Sequence, residues 1–123
     1  MSVFHIDDFR DVPNRPGRRV RDLAGTVHGF DSVFVTESEM DHGSAIPLHV
    51  HPVEEAWVVL EGELALRVGD ETVTVSAGEV ARVPPGVPHA VRNEGTVTAR
   101  AISAAPWARD TFHAEATTYL DES

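Results

Sequence analysis

From Ser32 onward, apolar and polar residues alternate in short runs that Gly, Pro and Asp interrupt. A break about every ten residues is the rhythm of a sandwich or barrel of short strands. The runs are Ser32–Glu37, Pro47–His51, Ala56–Glu61, Glu63–Val68, Glu71–Val75, Val80–Val83, His89–Arg92 and Thr96–Ser103. Glu71-Thr-Val-Thr-Val75 alternates most cleanly, which predicts a strand with one buried face. Gly69-Asp70 predicts a hairpin turn between Val68 and Glu71, although Asp-Gly or Asn-Gly is the preferred order for the tightest type. The two ends break the pattern. Residues 1 to 25 carry Pro13, Pro16 and an Arg-rich stretch from Gly17 to Arg21, and predict an irregular arm. From Trp107 to Leu120, Phe112, Ala116 and Leu120 stand four apart, which predicts a short helix or coil packed outside the strands.

Length and composition narrow the classes. A chain of 123 residues has room for one domain. It divides into an arm with the first strands (1–31), a strand-rich body (32–106) and a C-terminal tail (107–123). The apolar share is 41%, never in the run of about 18 residues that a membrane helix needs. The N-terminus is mixed and acidic, without the pattern of a signal peptide, so a cytoplasmic location is expected. The formal charge of −10 repels phosphate backbones and anionic bilayers, which argues against nucleic acid and membrane partners. The chain has no cysteine, so strong metal ligands can come only from histidine and carboxylates. All ten basic residues are arginine, which excludes Schiff-base chemistry and a P-loop lysine.

His49 and His51 are two apart, and residues i and i+2 of a strand point to one face. Taken alone, such a pair is more often a polar face than a site. Glu55 follows after a connection containing Pro52 and can bring a carboxylate to the same point from the next strand. A hard oxygen there widens the choice beyond Zn(II) to Fe(II), Mn(II), Ni(II) or Co(II). His89 comes just after Pro84-Pro85-Gly86-Val87-Pro88, a rigid turn that sets where the next strand begins.

The punctuation around these residues is specific. Gly43, five residues, His49, one, His51, three, Glu55, six, Gly62 forms one pattern. Gly78, five, Pro84, one, Gly86, two, His89, three, Asn93 forms a second. Together they resemble the two motifs of the cupin superfamily, with no position missing, over residues 43 to 93. The resemblance implies an all-β double-stranded β-helix, or jelly-roll barrel. It also implies one divalent metal ion per chain, held by His49, His51, Glu55 and His89, and a homodimer.

Cupins span oxygenases, isomerases, cyclases, lyases, epimerases and sensors, so fold alone does not choose among them. Four protein ligands leave one or two positions open on an octahedral ion, which suits O2 and substrate binding or carbonyl polarisation. The expected function is therefore a metal-dependent enzyme acting on a small oxygenated molecule, as a dioxygenase or as a non-redox isomerase or cyclase. Glu55 would serve as ligand and, on detaching, as general base. The alternative is a non-catalytic module that binds or senses a small molecule; a storage role is weaker, because the ligand set is complete.

Four residues are candidates for the substrate pocket. Trp57 shares the inward alternation of Glu55 and either walls the pocket or fills the barrel. Arg82 either reads a carboxylate or phosphate or faces solvent. Phe34 and Arg100 follow from strand position. Gly62, Gly78 and Gly86 suit tight corners, and Asn93 suits a turn tied by its side-chain amide. Glu54 faces solvent or orients a ligand, and His5, His28, His42 and His113 fit no ligand spacing.

Overall fold

The computed structural model describes residues 3–6, 11–12, 15–25, 28–106 and 118–120. These form strands β1 (Asp11–Val12), β2 (Arg18–Ala24), β3 (Phe34–Met40), β4 (Ala45–Val50), β5 (Glu55–Glu61) and β6 (Glu63–Val68). β7 (Glu71–Ser76), β8 (Val80–Val83), β9 (His89–Arg92), β10 (Ala99–Ala105) and β11 (Thr118–Tyr119) follow. One sheet runs β1-β2-β3-β10-β5-β8 and the other β11-β4-β9-β6-β7, with every pairing antiparallel. The inward residues of the two sheets meet in one apolar core that includes Met40, Trp57, Leu64, Leu66, Val83 and Val91. Burying each such side chain contributes about 1.5–3 kcal/mol, so Leu66, 1% exposed at the centre, is a costly residue to truncate. No helix among the described residues is long and apolar enough to cross a membrane.

Glycine makes two corners possible. Gly69 adopts φ 61° between β6 and β7, whose register places Val68 opposite Glu71. Glycine as the first central residue is the signature of a type II′ hairpin, which explains why Gly-Asp works here in the order opposite to Asp-Gly. Gly62, at φ 72° between β5 and β6, leaves no room for a side chain, since a Cβ would come within 3.1 Å of Ala99 Cα on β10.

The ends differ from the sequence expectation. Arg18 to Ala24 is a regular seven-residue strand that extends the six-stranded sheet beside β3, where an irregular arm was expected. Val20 and Ala24 are buried, while Arg21 reaches out to Glu37 on that neighbour and Arg19 to Asp41 just past its end. Its polar partners lie far along the chain, so the arginine-rich composition conceals the alternation. The expected helix or coil falls on residues 107–117, outside the described residues. Beyond them, Thr118–Tyr119 pairs with β4. β7 also departs from expectation: as the edge of its sheet it buries Val75 but leaves Val73 47% exposed.

Candidate metal centre

The site begins with an irregularity in β4. Ile46 pairs with Val91 on β9, yet His49 pairs with His89, so three steps along β4 match two along β9. The extra residue at Pro47-Leu48 is a bulge, which re-aims the side chains that follow it. Without it, Ile46 and His49 would face opposite sides; with it, both are buried inside. Proline suits this position because a bulge tolerates the missing ladder N–H. His51 lies one residue past the end of β4, and its carbonyl accepts the Gly86 N–H at 2.8 Å, tying it to the proline-rich turn. His89 opens β9 directly across from His49, and Glu55 opens β5 with its side chain inward, like Trp57 and Val59.

These strand ends deliver three imidazoles to one place. Ring centroids are 4.1 Å apart for His49 and His89, 4.8 Å for His49 and His51, and 4.9 Å for His51 and His89. Candidate ligand atoms of the three lie within 4.8 Å of one another. His49 Nδ1 donates to the Pro47 carbonyl at 2.6 Å and His89 Nδ1 to the Val87 carbonyl at 3.0 Å. A carbonyl can only accept, so the proton sits on Nδ1 and the Nε2 lone pair is presented to the cluster. His89 Nε2 is buried with no hydrogen-bond partner. A buried lone pair in that state is costly, and a cation removes the cost.

The Glu55 carboxylate completes the ring, with Oε2 3.9 Å from His51 Nε2 and Oε1 3.6 Å from His89 Nε2, beyond hydrogen-bond reach in both cases. Trp57 Nε1 donates to Oε1 at 2.6 Å. Burial alone would raise the Glu55 carboxyl, but His89, His51 and the Trp57 N–H outweigh it and hold the group below its usual range. Burial, then the neighbouring His89, push His49 down to about 3, so its imidazole is neutral at physiological pH. Three imidazoles and one carboxylate, with carbonyls holding the far nitrogens of His49 and His89, are the donor set of a divalent transition ion. The three buried histidines could hold a metal ion.

Among the described residues, His49, His51 and Glu55 line one cavity of about 20 Å3 with Arg18, Ile46, Trp57, Ser103 and Tyr119, and His89 stands beside His49 and Glu55. Of the four pocket candidates, Trp57 is in its wall. Phe34 packs instead with Ala105 and Val53 in a separate small cluster. Arg100 points to the outer face of its sheet, where Nε and a terminal nitrogen each reach Glu37 Oε2 at 2.9 Å. Arg82 is exposed on β8 and pairs with Glu54, so that carboxylate faces solvent. His42 bonds the Gly95 carbonyl, His28 stacks edge-on with Phe4, His5 is exposed, and His113 lies outside the described residues. A larger groove of about 390 Å3 lies along β7 and β8 and contains none of the histidines.

Arg18 and Tyr119 are the residues that reading the sequence missed. Arg18 donates to Ser38 Oγ at 3.0 Å. Burial lowers its pKa to about 10, partly offset by Tyr119 and Glu55. Tyr119 pairs with His49 across β11 and β4, ring centroids 5.5 Å apart, and carries the Arg15 guanidinium 5.0 Å above its ring. Inward alternation with Val20 was a usable signal for Arg18; nothing local to the chain marks Tyr119.

The cupin domain matches residues 36–105, more than half of the chain. The chain belongs to the cupin family. The tetracenomycin polyketide synthase protein TcmJ of Streptomyces glaucescens is 33% identical to this cupin over 75 residues, 60% of this chain and 50% of that one. Quercetin 2,3-dioxygenase of Bacillus subtilis is 41% identical over 51 residues, 41% of this chain and 15% of that one. The cupin thus spans half or less of these curated relatives. Among solved structures, the polyketide cyclase RemF from Streptomyces resistomycificus superposes with a TM-score of 0.83 and 28% identity, covering 100% of this chain and 87% of that one. Oxalate decarboxylase of Lactobacillus farciminis shares the fold at a TM-score of 0.81 and 19% identity, covering 95% of this chain and 35% of that one.

Proposed function

We propose that this cupin is a metal-dependent enzyme that cyclises or isomerises a small, carbonyl-rich oxygenated molecule without net redox change. The observation that carries the reading is the convergence of three buried imidazoles, with the Glu55 carboxylate beside them. The likeness to a polyketide cyclase along the whole chain supports the reaction class. His49, His51, Glu55 and His89 would hold the ion, which supplies Lewis acidity toward a substrate carbonyl oxygen. The protein's own part is proton handling and exclusion of water. Glu55 takes a proton from the carbon beside that carbonyl and returns it to the product, while Trp57 keeps the carboxylate aimed through its N–H.

A dioxygenase reading is favoured by the identity with quercetin 2,3-dioxygenase, over a shorter span. Protein loaded separately with Zn(II), Mn(II), Co(II) and Fe(II), offered β-diketones and polyketide-like phenols under nitrogen and in air, separates the possibilities. Product seen by NMR under nitrogen, and abolished in Glu55→Gln, is expected. Turnover that requires O2 would make the protein an oxygenase. Tight binding without turnover under any metal would make it a sensing or binding module.

A further inference from the structure

We propose that Arg67 and Arg92 form a second binding site, on the outside of the barrel, for a small carboxylic acid with an apolar body. The site is separate from the histidines and independent of the metal-dependent reading. In β6 and β9 the buried residues Leu64, Leu66 and Val91 alternate with Ala65, Arg67, Ala90 and Arg92, so the latter face outward. The register sets Arg67 opposite Ala90 and Arg92 opposite Ala65, which makes the two arginines diagonal neighbours. Diagonal positions are about 7–8 Å apart, within reach of long side chains. Both arginines line one groove of about 270 Å3, together with Ala45, Ala65 and Ala90.

On a chain with 20 acidic and 10 basic side chains an arginine readily finds a carboxylate, as Arg19, Arg21, Arg82 and Arg100 do. Among the described residues Arg67 and Arg92 meet none. Arg67 gives its Nε to the Gly69 carbonyl at 3.1 Å, which orients the guanidinium and leaves both terminal nitrogens for a ligand. Two neighbouring cations repel, and a carboxylate between them accepts N–H donors from both and removes the repulsion. Glu94 lines the groove without pairing with either arginine, so the local balance is one positive charge, which suits a monoanion better than a phosphate dianion. The alanines lie half-buried and add no polar side-chain atom, so they give the hydrocarbon part of the ligand a surface on which to leave water. Pockets for drug-sized ligands run from about 300 to 1,000 Å3, so a groove just below that range suits a small acid.

The test titrates benzoate into 15N-labelled full-length protein with zinc added, and follows the backbone amides by NMR. Acetate, benzamide and inorganic phosphate are titrated alongside. Benzoate is expected to shift the amides of Ala65 and Ala90 in a saturable way, with acetate and phosphate binding more weakly and benzamide not at all. Arg67→Gln and Arg92→Gln should each weaken benzoate about fivefold or more, a loss tempered by the exposure of both arginines. Exposed positions tolerate such changes, so both variants should melt close to wild type. If either does not fold, the lysine variant at that position is read in its place, and its loss of the planar fork should also weaken benzoate. No saturable shift at Ala65 and Ala90, or wild-type affinity in either variant, overturns the site. Shifts confined to the amides of His49, His51 and Glu55 would put benzoate at the metal centre and overturn it as well. Benzamide or acetate binding as tightly as benzoate, or phosphate binding more tightly, overturns the assignment of an apolar carboxylic acid.

Discussion

Trp57 and Glu55 are joined by a 2.6 Å hydrogen bond inside the cavity, the indole N–H donating to the carboxylate Oε1. They stand two apart on β5, so both point inward, and the bond pins one oxygen while Oε2 faces His51. Trp57→Phe keeps the ring packing and deletes the donor. A hydrogen bond to a charged group contributes about 1.5–3 kcal/mol, and groups that orient a ligand change metal affinity about 10–100-fold. The variant is expected to melt lower and to release zinc at a lower chelator concentration than wild type. Unchanged zinc affinity in a competition titration would show that the indole only fills space.

Metal content follows from the histidine cluster. Wild-type protein is expected to carry close to one ion per chain, and His49→Ala with His51→Ala to carry almost none. Elemental analysis of both decides the matter, and equal metal in the two would place the ion elsewhere.

Acid should release that ion and the stability it brings. Burial and His89 hold His49 at about 3 in the folded protein, against about 6.5 in an unfolded chain. A lowered folded-state value contributes stability that is complete above the unfolded value and is lost as pH falls toward the folded one. Metal acts in the same direction, since only neutral imidazoles coordinate. The gap in melting temperature between metal-loaded and EDTA-treated protein is therefore expected to be widest near neutral pH and to shrink toward about pH 5. A gap constant across that series would exclude the histidines as ligands.

On the outer face of the six-stranded sheet, Glu37 is 2% exposed and accepts Arg21 Nε at 2.9 Å and Arg100 Nε at 2.9 Å on separate oxygens. Burial would raise its carboxyl, but the two guanidiniums outweigh it and hold it below the ordinary range. Glu37→Gln removes the carboxylate charge that both guanidiniums share, at a cost of about 2–4 kcal/mol after allowing for the partial exposure of the arginines. Urea melts should show this gap in full above about pH 4.3, the unfolded value, and closing as pH falls through the lower folded one. A gap independent of pH would mean that charge is not its cause.

Asn93 is fully buried, donates to the Met40 carbonyl at 2.7 Å and the Val97 carbonyl at 2.9 Å, and accepts the Gly95 N–H at 2.9 Å. Asn93→Ala strands those backbone groups, at about 3 kcal/mol. Lower stability with unchanged zinc content is the expected result; loss of zinc at intact stability would move Asn93 into the site.

Much of this was readable in the chain because the information is periodic or punctuated. Two-residue alternation shows in Ala56–Glu61 and Glu63–Val68, which match β5 and β6 almost residue for residue. The spacing of His49, His51, Glu55 and His89 was legible through its resemblance to the two cupin motifs, and the fold brings the three imidazoles together with Glu55 beside them. Asn93 was legible for the same reason, since a side-chain amide at a turn has few other uses.

Tertiary structure decided what depends on partners distant in sequence. Arg19 and Arg21 of β2 are favourable in a strand because Asp41, just past β3, and Glu37, on it, receive them. The bulge at Pro47-Leu48 arises from the register with β9, and it alone turns Ile46 and His49 to the same side. Arg18, Ser103 and Tyr119 reach the cavity from strands far apart in the chain, and Arg100 and Arg82 leave it because carboxylates on the outer face hold them. Alternation tells which residues share a side of a strand; which side becomes the interior, and what charge waits across it, is settled only when the sheets close around the core.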